Sequence, residues 1–167
     1  MAQQYDNPFH NMQIISPETQ RDDYDHYCQT GQQRAKADTS PFPRKVDLWF
    51  TGLSLAVRKN LQPIDLTKEK TVSIISGDIF NTDGWQAQTI MLIAIAVEGK
   101  VEVVLEPRRM MDIANSLAAA GVDQIIKMLN EGSQKPIWNL SEAFTELFQS
   151  DTIPEEKSDH DRLLESL

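Results

Sequence analysis

Met111-Asp112-Ile113-Ala114-Asn115-Ser116-Leu117-Ala118-Ala119-Ala120-Gly121-Val122-Asp123-Gln124-Ile125-Ile126 is the stretch on which the fold class turns. Pro107 stands where a first helical turn favours it, and Met110, Met111, Ile113, Ala114, Leu117 and Ala118 follow at helical spacing as far as Gly121. A second run, Val122 to Glu131, carries Ile125, Ile126, Met128 and Leu129 and stops at Gly132. Two helices joined at a glycine read as a hairpin packed in a core. The same outline is that of a helix-turn-helix over 107–131, whose second helix would enter a DNA major groove. Such a helix needs Arg, Lys, Asn or Gln at its start to read base edges. This one offers Asp123 and Gln124, with Lys127 as its base.

Working outward, Val46, Trp49, Phe50, Leu53 and Val57 form one face of a helix that begins near Lys45 and closes at Arg58 and Lys59. Gly52 inside it costs about 1 kcal/mol relative to alanine, which points to a close helix–helix contact there. Asp83 with Gln86 opens another helix that Gly99 ends. Its interior, Ile90 to Val97, is apolar on every side, so it is expected to be the buried central helix. Asn139 with Glu142 caps the last helix, whose stripe is Leu140, Ala143, Phe144, Leu147 and Phe148. Between helices, Thr71 to Ile75 alternates like a strand, and Lys100 to Leu105 is a second strand candidate. A hairpin of 71–75 with 101–105 would need helices packed on it.

The expected fold is therefore a mostly α, compact domain of about five helices over 41–149, with that one short hairpin. Acidity belongs to the ends of the chain. The chain has 167 residues and a formal net charge of −9. Residues 1–40 carry three bases against six acids, residues 138–167 two against eight, and the middle balances at eleven each. Residues 1–40 also lack apolar periodicity, so they are expected to be a flexible polar segment, with 150–167 as an acidic tail.

Several function classes fit this composition poorly. One cysteine, Cys28, cannot form an intramolecular disulfide, which favours a reducing, cytoplasmic setting. The apolar run Ile90–Val97 falls well short of the roughly 20 residues of a membrane helix. The N-terminus shows no basic patch or apolar run of a signal peptide. Phosphate-loop, nucleophile-elbow, metalloprotease and kinase motifs do not occur. Asp22, Asp23, Asp25, His26 and Cys28 read as a solvated acidic segment, because a zinc site needs four placed ligands. No catalytic residue, metal or cofactor is assigned. Asp78 and Asp83, beside Asn81 and Thr82, are the one carboxylate pair that a small enzyme could use, and they read more simply as turn and cap residues.

Two candidate contact sites remain. Trp138, Leu140, Phe144, Leu147 and Phe148 offer aromatic anchors for helix-in-groove docking to a partner protein. Arg108 and Arg109 sit in a first helical turn, where the dipole disfavours cations, so they are candidates for an anion or acidic partner. The simpler expectation there is an Arg108–Asp112 pair, with Arg109 reaching Glu106 or solvent. The function expected from these features is a non-catalytic subunit or adaptor of a cytoplasmic assembly, or alternatively a small DNA-associated regulator. Self-association through the last helix would look the same in the sequence.

Overall fold

A computed structural model describes residues 7–32, 36–82 and 84–149. Asp83 as a helix cap and the acidic tail 150–167 lie outside the described residues. In chain order the elements are β1 (Gln13–Pro17), α1 (Arg21–Tyr27), α2 (Lys45–Arg58), β2 (Thr71–Ser76), α3 (Gly84–Glu98), α4 (Pro107–Asn130) and α5 (Pro136–Gln149). The domain is mostly α, as its periodicity implies, with one two-stranded antiparallel sheet.

α4 is the central element and a single helix of 24 residues. The expected break at Gly121, and with it the helix-turn-helix, is not present. The reason lies in packing. A Cβ added to Gly121 would sit 1.8 Å from the Gly52 carbonyl oxygen, and one on Gly52 would sit 2.7 Å from a Val122 methyl. The two glycines let the backbones of α2 and α4 touch, which offsets the roughly 1 kcal/mol helical cost of each. Around this contact Trp49, Leu53, Ala118, Val122 and Ile125 are buried. α2 itself follows its expected limits, and its first turn closes with Arg44 N donating to Asp47 Oδ2 at 2.9 Å.

The N-terminal segment expected to be flexible is, over 7–32, part of this core. Phe9, Ile14, Tyr24 and Cys28 are fully buried. β1 pairs with β2 from Gln13↔Ser76 to Pro17↔Thr71, with a bulge between Ile14 and Ile15. Polar side chains tie the segment to α4. Asn115 Oδ1 accepts from Ile15 N (3.2 Å), Gln20 Nε2 donates to Ala119 O (2.8 Å) and Asp123 Oδ1 (2.7 Å), and Tyr27 Oη donates to Asn130 Oδ1 (2.8 Å). Local composition is polar here because the segment folds through long-range hydrogen bonds beside a few aromatic anchors.

The hairpin expectation is corrected accordingly. Thr71–Ser76 is a strand, but its partner is β1. Residues Val101–Leu105 form a 3-10 turn instead. Gly99, at φ +68°, reverses the chain after α3, and Pro107 opens α4 shortly beyond. A 3-10 turn, at about 2.0 Å per residue, suits so short a return better than a strand at about 3.3 Å.

Two helix assignments also change. α3 is not the buried central helix: Gln86, Ala87, Ile90 and Ala94 are buried, and much of the remainder faces outward. α5 starts at Pro136, so Asn139 lies inside it, not at its cap. Buried Asn139 donates to Leu129 O at 3.0 Å and accepts from Gln134 N at 3.3 Å, joining the end of α4 to the turn before α5. The chain near Asp38 holds that turn from the other side: Ile137 N donates to Asp38 O at 3.2 Å, and the Lys135 ammonium pairs with the Asp38 carboxylate and holds its pKa below the usual range.

Gly121→Ala is expected to destabilise the domain by about 1–3 kcal/mol, or more, because backbone stands where the methyl would go. Urea unfolding checks this, and an unchanged midpoint would contradict the direct α2–α4 contact.

Candidate protein-docking groove

α3 places its apolar residues on two faces. The stripe of Ala87, Ile90 and Ala94 packs inward, while Trp85, Leu92, Ala96 and Val97 are exposed. Leu92 is 66% exposed, and in the following turn Leu105 is 80% exposed. Exposed single apolar residues are ordinary, but a helix apolar all round with one face open is not. Trp85 is steadied from one side by Phe50, ring edge to ring face at 5.2 Å.

Beside this face lies a groove of about 1030 Å³ open to solvent. One wall is α3, through Thr89, Leu92, Ile93, Ala96 and Val97. The facing wall is α4, through Arg109, Asp112, Ile113, Ser116 and Leu117. Both sets run i, i+3, i+4, i+7, i+8, the side-chain ridge of a helix. The end of α2, through Val57, and its connection to β2, through Leu61, Pro63, Ile64 and Leu66, close the third side. That connection is held in place. Asn60 reverses the chain at φ 49°, Leu61 N donates to Ala56 O at 2.9 Å, and Ile64 N donates to Ser116 O at 3.1 Å. Asp65, bonded by the Thr67 hydroxyl and by Lys68, is held down to about 2, so its carboxylate stays charged at the groove edge.

Asn115 also lines the groove and is 2% exposed. Its Oδ1 accepts from Ile15 N, which fixes the amide's orientation. Its Nδ2 donates to no group among the described residues. At the groove mouth, Arg109 Nε and Nη2 donate to Glu98 Oε1 at 2.8 and 2.5 Å. The expected Arg108–Asp112 pair is not formed, and Arg109 turns to α3 rather than to Glu106. The guanidinium of Arg109 is thus already paired, while Arg108 is exposed.

The proposed α5 contact residues divide. Leu140 is buried in the core, and Phe144 and Leu147 pack partly against it. Phe148 is exposed at the helix end, with the Arg58 guanidinium 4.6 Å above its ring. Trp138 is 57% exposed. The stripe seen in sequence therefore mostly faces its own domain, leaving Phe148 at its end and Trp138 beside it exposed.

The other sequence candidates are placed as follows. Asp78 Oδ1 meets His10 Nδ1 at 2.6 Å, and Ser76 Oγ donates to Asp78 Oδ2 at 3.0 Å, all near solvent. Ser76 contacts the carboxylate and not the imidazole, so the order needed to activate a hydroxyl is not formed. Among Asp22, Asp23, Asp25, His26 and Cys28, Asp25 pairs with Lys45 Nζ at 2.5 Å and Cys28 points into the core. Burial, then the charges of Asp123 and Asp22, pushes the Asp23 carboxyl up. No group of three or more metal-ligating side chains converges among the described residues, and none of the described helices is long and apolar enough to cross a membrane. A scan of protein-family models, a search of curated proteins and a search of solved structures return no match to this chain.

Burial pushes the Cys28 thiol up to about 12 from 9.0. Because the folded value is the higher one, this group's contribution to stability is complete below pH 9 and is lost as pH rises toward 12. The native chain at pH 8 is expected to resist thiol alkylation and to react at once when unfolded in urea. Rapid native labelling would place Cys28 at the surface.

Proposed function

We propose that this chain is a non-catalytic, protein-binding subunit or adaptor of a larger assembly. The observation that carries this reading is the open apolar face of α3 and the turn after it, with Leu92 and Leu105 largely exposed. Leaving that much apolar surface in water forgoes about 25 cal/mol per Å², a loss that burial against a partner removes. Trp138 on α5 is proposed as a second, smaller contact. The proposed setting is cytoplasmic, where the single thiol Cys28 would stay reduced.

The sequence-level DNA alternative has lost its premise, since α4 runs unbroken through Gly121. The carboxylate alternative rests on Asp78, which His10 and Ser76 engage.

Leu92→Asp with Leu105→Asp changes two exposed residues and is expected to leave the circular dichroism spectrum and urea midpoint unchanged. Recovery of a stoichiometric protein partner from the source cells is expected to fall at least about tenfold, the weight of one buried anchor. Full recovery with this variant would place the docking surface elsewhere, and loss with Trp138→Ala alone would move it to α5.

A further inference from the structure

The groove between α3 and α4 has the size and lining of a helix site. Thr89 to Val97 spans eight helical steps, about 12 Å. A helix is about 10 Å wide with its side chains, and the groove runs beside α3 over that length. Both walls present ridges at i, i+3, i+4, i+7, i+8, so a third helix can pack as their common neighbour. The groove is open along its length, and Leu92 and Val97 carry its apolar surface past the rim. A small molecule would instead be mostly enclosed.

Two polar groups specify the occupant. Asn115 is buried as a residue and its carbonyl is engaged by Ile15 N, while its amide nitrogen, bonded to no described residue, is open to the groove. A helix that ends there supplies an acceptor, because its last four carbonyls have no partner within the helix. Asp112, exposed on the same wall, forms no ion pair among the described residues. The last turn of a helix favours lysine or arginine, so the same helix end answers both groups.

We propose that this groove receives a short amphipathic helix of a basic partner protein, its C-terminal turn seated at Asn115 with a lysine or arginine against Asp112. The proposal rests on the protein-binding reading above and names the partner's chemistry at that site.

The test is selection of helix-forming peptides of about 14 residues, displayed from a randomised library, on the full-length chain. Enrichment of apolar residues at i, i+3 or i+4 and i+7, with Lys or Arg in the last turn, is expected. Asp112→Lys should weaken the selected peptides on the order of tenfold, and exchanging their last-turn base for Glu should restore binding to that variant. Leu92→Glu should abolish binding, while Trp138→Ala should not affect it. Failure to enrich helical spacing, or selected peptides indifferent to Asp112→Lys and Leu92→Glu, would overturn the proposal. So would a concentration-dependent dimer that Leu92→Glu converts to monomer, since a second copy would then be the occupant. If a cellular partner depends on Leu105 yet ignores Asp112→Lys, the groove assignment fails while the adaptor reading stands.

Discussion

The contact of Gly52 with Gly121 sets the spacing on which the other elements rely. At a position where any side chain would strike a carbonyl oxygen, α2 and α4 approach backbone to backbone. That closeness makes α4 the axis of the domain. Its inward residues, from Met110 through Ile113, Leu117 and Ile125 to Leu129, then meet neighbours on several sides. β1 and α1 lie along it by way of Asn115, Ala119, Asp123 and Asn130, and α5 folds back on its end through Asn139. Interior packing is dense enough that a single methyl group matters, so a glycine pair at the crossing constrains everything layered on α4.

α3 pays for its place at the edge of this arrangement. Its stripe of Ala87, Ile90 and Ala94 is buried and Met91, Ile93 and Ile95 are partly covered, yet Leu92, Ala96 and Val97 on the remaining side face water. In an isolated domain that composition adds exposed surface without adding core. It becomes intelligible if another chain completes the layer, and the groove beside α3 supplies a rigid place for it to do so. The wall formed by residues 60–66 is pinned to α2 and α4 by backbone hydrogen bonds from Leu61 and Ile64, so the groove is formed within this chain alone. Preorganisation of this kind lowers the ordering cost of association.

Much of the α content was legible from periodicity. Val46, Trp49, Leu53 and their neighbours mark α2 within a residue or so of its limits, and Gly52 signals the close crossing. Gly121 was harder, because a glycine between two apolar runs reads equally as a turn or as a crossing point, and only the helix across from it decides. The N-terminal segment was not legible. Its anchors are isolated aromatics and buried polar residues such as Gln20, whose acceptors lie about a hundred positions away, and no local pattern encodes such pairing. The strand partner of Thr71–Ser76 was missed for the same reason. The exposed face of α3 was hidden differently: a helix apolar all round implies burial, but composition does not say whether its own domain or another protein provides the cover. Of the α5 residues, the stripe was legible and its inward direction was not.

Hydroxyl-radical footprinting of the full chain at low concentration tests the central claim, that the N-terminal segment belongs to the core while α3 keeps an open apolar face. Tyr24, Tyr27 and Phe9 are buried in this arrangement, whereas Trp85, Leu92 and Leu105 are exposed. The account predicts fast oxidation of the second set and protection of the first, with protection lost together on unfolding. Equal labelling of Tyr24 and Trp85 in the native chain, or protection of Leu92 beside reactive Tyr24, would contradict it.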